Sequence, residues 1–163
     1  MRLRKRKPVV RDDQDDPQAA RLAALKQLNR RDFGARELAE RLVARGFGQP
    51  AAEAAVAGLV HERLVDDDRF AEHFVAYHAN RGRGPVGIAM RLRDAGVPAD
   101  TIAAAVNATD PDWRRRAAEV RRKRFGAKAP VTWPEKGRQA RFLIQRGFGA
   151  DQVRAAVGND VED

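Results

Sequence analysis

The sequence predicts an all-α protein, built as an elongated, curved array of three tandem three-helix repeats with about nine helices. Segments with apolar residues at helical spacing are separated by short stops rich in glycine and proline. Strand signals are nearly absent, because aromatic residues make up only 6% of the 163 residues and no β-branched run alternates with polar residues. The third observation is an internal repeat, which organises the helices into sets of three.

The elements follow from the stops, taken from the N-terminus. Residues 1–16 are mostly charged and show no periodicity, so we expect a disordered arm, basic at its start and acidic at its end. Asp16 precedes Pro17, a pair typical of a helix start. From there the stops delimit helices at about 17–30, 35–45, 49–63, 67–81, 85–95, 98–108, 111–125, 134–146 and 149–158.

The repeat is defined by three glycines, each of which follows the middle helix of its set. Gly46, Gly96 and Gly147 lie 50 and 51 residues apart. Relative to each glycine, Leu stands four residues before, Ala seven before, Phe or Val one after, and Val ten after. A left-handed glycine satisfies the last helical carbonyls, and Leu and Ala three apart share one helix face. We therefore expect repeats at 17–63, 64–109 and 110–163, the last with a short C-terminal tail.

Composition excludes several function classes. The chain contains no cysteine and no serine, so disulfides, thiol or serine nucleophiles and thiolate zinc sites are excluded. No apolar run is long enough for a transmembrane helix, and no apolar segment of a secretory signal follows the basic start. The acid run Asp66-Asp67-Asp68 is typical of a helix N-terminus. We therefore expect a cytoplasmic protein that is not an enzyme and that uses no metal ion or cofactor.

Positive charge is concentrated in the last third of the chain. The net charge is +9, and residues 113–146 contain twelve Lys or Arg against two acids. Such asymmetry favours a polyanionic partner. The candidate binding residues are cations beside glycines, at a helix end or on the next helix: Arg81, Arg83, Arg121, Arg122, Lys123, Arg124, Arg138 and Arg141.

Each group of candidates has a structural alternative. Cations at a helix C-terminus also counter the macrodipole, and an Arg-rich composition could place arginines on any solvated face. Four adjacent cations at residues 121–124 exceed what the dipole requires, and Arg138 and Arg141 lie opposite Ala140, Leu143 and Ile144 on a helix. We favour a basic face on two neighbouring helices, without base-specific reading because no aromatic platform accompanies it.

Three stretches of the chain resemble the RecX family of regulatory proteins. They are Arg31-Asp32-Phe33-Gly34-Ala35-Arg36-Glu37-Leu38, Val65-Asp66-Asp67-Asp68-Arg69-Phe70-Ala71 and Arg146-Gly147-Phe148-Gly149-Ala150-Asp151. The resemblance covers about residues 17–158. Family members usually carry Gly where Arg63 stands and Ser where Gly34 stands. The resemblance implies a curved, all-helical modulator that lies in the groove of the RecA–DNA filament and opposes filament extension, ATP hydrolysis and strand exchange.

Two hypotheses of function therefore stay open. In the first, the chain is a monomeric regulator of the RecA filament, hence of recombination and SOS DNA repair, with direct DNA contact through its basic face and no membrane partner. In the second, it is a helical DNA-binding module that acts on DNA directly, because each repeat contains a helix–turn–helix-like corner. The second hypothesis predicts steep salt dependence on naked duplex, whereas the first predicts tighter binding to the assembled filament.

Overall fold

Helices are the regular elements throughout the part of the chain that this computed structural model describes, residues 11–109 and 112–158. Within those ranges they are α1 (Pro17–Leu28), α2 (Ala35–Ala44), α3 (Gln49–His61), α4 (Asp67–Asn80), α5 (Pro85–Asp94), α6 (Ala99–Thr109), α7 (Trp113–Phe125), α8 (Trp133–Gln145) and α9 (Ala150–Val157). No strand occurs among these described residues. The all-α fold is confirmed, and the predicted helix bounds differ from the observed ones by at most two residues.

The three repeat glycines all adopt left-handed backbone conformations. Their φ angles are 99° at Gly46, 81° at Gly96 and 89° at Gly147. After Gly46 and Gly147, the N–H of the following Phe donates to the carbonyl of the Leu column, over 3.2 Å and 3.1 Å respectively. This pattern is a Schellman C-cap, and it returns the Phe ring over the helix end. The Leu column of all three repeats is fully buried, so the predicted repeat unit is confirmed in its packing as well as its spacing.

The described residues fall into two compact units. The first contains residues up to Phe70 together with Ala95–Val97, and the second contains the remaining residues from Ala71 onwards. In the first unit α3 packs against α1 and α2, with Leu38, Leu42 and Leu59 at the centre of the core. In the second unit α9 packs against α7 and α8, and α5 packs against α6. Burial of one such Leu side chain stabilises the fold by about 1.5–3 kcal/mol.

The end of the predicted disordered arm is ordered in the structure. Residues 11–16 form a turn, and the carbonyl of Gln14 accepts a hydrogen bond from the N–H of Gly48 over 2.8 Å. Arg11 pairs with Asp13 over 2.8 Å, which lowers the pKa of that carboxyl, and its guanidinium lies 4.2 Å from the centre of the Phe47 ring. The prediction of disorder is therefore wrong for residues 11–16, because their charges pair locally and their backbone joins the start of α3. Residues 1–10 lie outside the described part of the chain.

The acid run caps two helices rather than one. Asp66 accepts hydrogen bonds from the N–H groups of Asp68 and Arg69, over 3.0 Å and 3.1 Å, and so caps α4. Asp67 accepts from the N–H of Ala35 over 2.9 Å, at the start of α2, where Gly34 has no side chain to serve as a cap. A carboxylate from a distant part of the sequence thus supplies the function of the missing N-cap side chain.

The left-handed residue at the end of α3 is an arginine, although glycine is the usual residue in this conformation. Arg63 has a φ of 58°, and the N–H of Leu64 donates to the carbonyl of Leu59 over 2.9 Å, which closes a Schellman cap. The position normally favours glycine, because a side chain there crowds the backbone. Arg63 therefore holds a strained conformation at the end of α3.

A capping box begins α8 and depends on one carboxylate. Thr132 accepts a hydrogen bond from the N–H of Glu135, and the Glu135 carboxylate accepts from the N–H groups of Val131 and Thr132. These two backbone donors, together with the Thr132 hydroxyl and Arg138, lower the pKa of Glu135. The box fixes the start of α8 at Trp133, one residue before the predicted start.

Backbone contact between glycines joins the start of α5 to the turn that follows α8. The N–H of Gly84 donates to the carbonyl of Arg146 over 2.8 Å, and the N–H of Gly87 donates to the carbonyl of Gly147 over 3.1 Å. A Cβ atom added to Gly84 would lie 2.5 Å from the carbonyl carbon of Gly147. The two segments can approach this closely only because these positions lack side chains.

Candidate functional site

A cleft of about 700 Å³ lies in the second unit, bounded by the C-terminal end of α4, one face of α7 and the end of α8. Five cations line it: Arg81, Arg116, Lys123, Arg124 and Arg146. We call this site the basic cleft. Glu119 is the one acid among the described residues that line it, and it is engaged with Arg115 over 2.7 Å. The cleft therefore has a strongly positive potential.

One face of α7 supplies the wall of the basic cleft. Arg116, Val120, Lys123 and Arg124 stand at i, i+4, i+7 and i+8, so they form one stripe on the helix. Trp113, Ala117 and Arg121 stand at i, i+4 and i+8 on the adjoining stripe of α7, and they are buried. Helical periodicity therefore places the cleft-lining cations of α7 beside its packing residues.

Aromatic rings and a backbone carbonyl position two of the arginines. The guanidinium of Arg81 lies 3.6 Å from the centre of the Tyr77 ring, a cation–π contact one helical turn away. Arg146 donates from Nη1 to the carbonyl of Arg81 over 3.3 Å, and its guanidinium lies 5.2 Å from the centre of the Phe142 ring. These contacts leave other guanidinium donors able to meet an anion, because each arginine carries five N–H groups.

Arg121 does not belong to the exposed basic face that the sequence predicts. Its side chain is buried, and it donates from Nη1 to the carbonyl of Lys128 over 3.1 Å and to Oε1 of Gln139 over 3.3 Å. Arg121 therefore ties α7 to the following loop and to α8. The prediction that it lies on an exposed basic face is wrong, because its spacing from Trp113 and Ala117 places it on the buried stripe of α7.

The other predicted residues are divided among three places. Arg81, Lys123 and Arg124 line the basic cleft, whereas Arg83 lines a second, smaller cleft described below. The exposed cations Arg122, Arg138 and Arg141 lie outside the lining of both clefts. Ile144 is also exposed, although it was predicted on the buried side of α8.

Two cations of the basic cleft, Arg116 and Arg146, are not among the residues that the sequence predicts. Helical spacing along α7 could have revealed Arg116. This residue stands one turn before Val120 and two turns before Lys123. Arg146 reaches the cleft only because the turn at Gly147 docks against Gly84, and that contact has no signal in a single sequence.

The second cleft, of about 260 Å³, lies between α5 and α8, and we call it the α5–α8 groove. Gly87, Ile88, Gly147, Met90 and Ile144 are among its lining residues. Its charged lining residues are three arginines and one acid: Arg83, Arg91, Arg146 and Asp94.

His78 also lines the α5–α8 groove, and its surroundings disfavour the charged imidazolium. Partial burial lowers the pKa of His78 below its ordinary value of 6.5, and the neighbouring charges of Arg91, Arg83 and Arg81 lower it further. His78 is therefore neutral near pH 7, and the positive charge of the groove comes from arginine.

Other kinds of site were sought in residues 11–109 and 112–158. No group of three or more His, Asp or Glu residues in those ranges is arranged to hold a metal ion. None of the helices that the structure describes is both long enough and apolar enough to cross a membrane.

Comparison with known proteins identifies the family. Family models for the first, second and third three-helix domains of RecX match residues 20–59, 66–106 and 112–157. The chain belongs to the RecX family. It is 44% identical over 146 residues to the regulatory protein RecX of Halorhodospira halophila, covering 90% of this chain and 91% of that protein. It is 39% identical to the regulatory protein RecX of Stenotrophomonas maltophilia strain R551-3, covering 86% of each.

Solved RecX structures share the fold. The crystal structure of RecX from Lactobacillus salivarius superposes with a TM-score of 0.74 at 17% identity, covering 87% of this chain and 94% of that one. A second crystal structure, of a regulatory protein RecX, gives a TM-score of 0.72 at 19% identity and covers 86% of this chain and 70% of that one. The chain is thus a RecX-family regulatory protein with the three-helix domains of that family.

Proposed function

We propose that this RecX-family chain binds the RecA–DNA filament and inhibits the ATPase and strand-exchange activities of RecA. It would thereby regulate recombination and the SOS repair response in the cytoplasm, as a monomer and without catalysing a reaction. Membership of a regulatory family supports this proposal, and the observation that carries it is the basic cleft with its five cations and one already paired acid.

The basic cleft is suited to phosphate groups of the filament's DNA. Guanidinium groups bind phosphate oxygens bidentately, and a cluster of them releases counterions from the nucleic acid. Tyr77 and Phe142 hold Arg81 and Arg146 in place, so less side-chain freedom is lost on binding. A filament repeats its binding surface, so several modest contacts can act together.

We also propose repeats at 17–63, 64–109 and 110–163 as the units that contact successive parts of the filament. The three family-model matches lie within these segments, which supports the division. Among the predicted residues, Arg81, Lys123 and Arg124 are the primary DNA-facing residues of the cleft, joined by Arg116 and Arg146. Arg122, Arg138 and Arg141 are assigned an auxiliary role on the exposed basic surface.

The experiment measures RecA ATP hydrolysis on single-stranded DNA with increasing amounts of the full chain. The wild type is expected to inhibit, whereas the cleft variant K123E/R124E is expected to lose most of the inhibition. The control R93E/R154E changes the net charge equally at exposed arginines outside both clefts and should inhibit like the wild type. Circular dichroism checks that all variants keep their helicity.

The outcomes separate the function from its site. Absence of inhibition by a stoichiometric excess of the wild type would contradict the proposed function. If K123E/R124E and R93E/R154E lose inhibition equally, the loss is an effect of net charge, and the basic cleft is not the binding site.

A direct DNA-binding module is the second candidate, because the basic cleft would also accept the backbone of bare DNA. Its hallmark is binding to naked DNA at least as tight as binding to the filament. If Lys123 and Arg124 both contact phosphates of single-stranded DNA, the variant K123E/R124E loses both contacts. The slope of log K against log salt concentration should then decrease in magnitude by about 1.4. Tighter binding to the filament than to the same DNA without RecA favours the first candidate.

A further inference from the structure

We propose that the α5–α8 groove binds an acidic, amphipathic segment of a partner protein. The carboxylates of that segment would pair with Arg83, Arg91 and Arg146, and an apolar side chain would lie between Met90 and Ile144. Assignment of the segment to the protein component of the filament rests on the proposed function.

Charge complementarity is the first argument for an acidic occupant. The described residues that line the groove include three arginines and one acid, Asp94. No ion pair joins these arginines to a carboxylate within the described ranges. A carboxylate that enters the groove would therefore meet guanidinium donors that no internal acid already neutralises.

Exposed apolar side chains are the second argument, and they favour protein over nucleic acid. Met90 and Ile144 are 54% and 58% exposed, and they lie on the two helices that flank the groove. Leu143, the neighbour of Ile144, is fully buried, so α8 directs Ile144 away from its own core. Paired exposed apolar groups rimmed by charges are typical of protein-binding surfaces.

The contrast with the basic cleft supports a division of roles. Five cations are among the described lining residues of the basic cleft, whereas three are among those of the groove. Among the described residues that line the groove there is no Phe, Tyr or Trp on which a base could stack. Two of the groove's lining residues are joined directly, because the N–H of Gly87 donates to the carbonyl of Gly147 over 3.1 Å.

The test uses the full chain and two labelled synthetic peptides of equal charge. One peptide carries Glu and Leu at helical spacing, and the other carries Glu and Ser at the same positions. The wild type should bind the Glu–Leu peptide at least about tenfold more tightly, because only that peptide fills the space between Met90 and Ile144. The variant M90E/I144E should lose this preference.

A matched control places the same two charges elsewhere. Leu22 and Val131 are exposed and line neither cleft, so L22E/V131E should bind the Glu–Leu peptide like the wild type. All four substitutions are at exposed positions, and circular dichroism verifies that helicity is retained. Binding of an oligothymidylate is measured in parallel and should be reduced by K123E/R124E to a greater extent than by M90E/I144E.

Three results would overturn the proposal. They are equal binding of both peptides by the wild type, unchanged peptide binding by M90E/I144E, and a loss of oligothymidylate binding in that variant as large as its loss of peptide binding. The last result would assign the groove to nucleic acid. RecA inhibition is measured separately. If the wild type and the M90E/I144E variant inhibit RecA equally, the groove does not bind the filament, and the proposed function stands.

Discussion

Substitution of Gly84 by Ala should destabilise the second unit severely. The new methyl group would lie 2.5 Å from both the carbonyl carbon and the carbonyl oxygen of Gly147, and backbone atoms cannot move aside as a flexible side chain would. Overpacking of this kind costs about 1–3 kcal/mol. If the segments separate, the two backbone hydrogen bonds of Gly84 and Gly87 are lost, at about 0.5–1.5 kcal/mol each.

The expected loss in the free energy of unfolding is therefore about 2–6 kcal/mol, a large share of the 5–15 kcal/mol that is typical of a folded domain. Urea denaturation followed by circular dichroism measures it. Gly137→Ala is the control, because Gly137 lies within α8 and a Cβ atom there meets nothing within 4 Å. The free energy of unfolding of that variant should rise by about 0.5–1 kcal/mol, because Ala has a higher helix propensity than Gly. A G84A protein as stable as the wild type would refute the reasoning that the two turns require backbone contact.

Two further substitutions concern helix ends in the first unit. Arg63→Gly should raise the free energy of unfolding by about 1 kcal/mol, because it relieves a left-handed backbone at the end of α3; a lower urea midpoint would contradict this. Asp67→Ala should lower the free energy of unfolding by about 0.5–2 kcal/mol, because α2 loses the carboxylate that caps its first N–H group. In thermal melts Asp68→Ala is the matched control, and an equal loss in both variants would show that the cap has no specific effect.

The sequence was sufficient for the helices and their repeat because both depend on local chemistry. Gly46, Gly96 and Gly147 end their helices with left-handed caps, and the Leu column lies on one face of each helix. Both features depend on residue spacing along the chain, so one sequence is enough to predict them. The disorder expected at residues 11–16 was wrong because a backbone bond from Gly48 orders them, and composition does not reveal such a bond.

The candidate site was predictable only in part. Arg81, Lys123 and Arg124 could be identified as a surplus of charge at helix ends, and they line the basic cleft. Adjacency in sequence predicts that Arg121 shares an exposed surface with residues 122–124, whereas α7 turns its side chain toward Gln139. Arg146 enters the site through packing between repeats, which depends on tertiary structure.

Arg146 lines both the basic cleft and the α5–α8 groove. One guanidinium cannot give its best geometry to two anions at once, so the DNA and the acidic segment that we propose as occupants would each reduce the affinity of the other. This linkage is reciprocal: whatever free energy one ligand removes from its competitor is removed from it in turn. If both proposed occupants bind, this single side chain would give the molecule a means to release DNA as it engages protein, with no need for a change of fold.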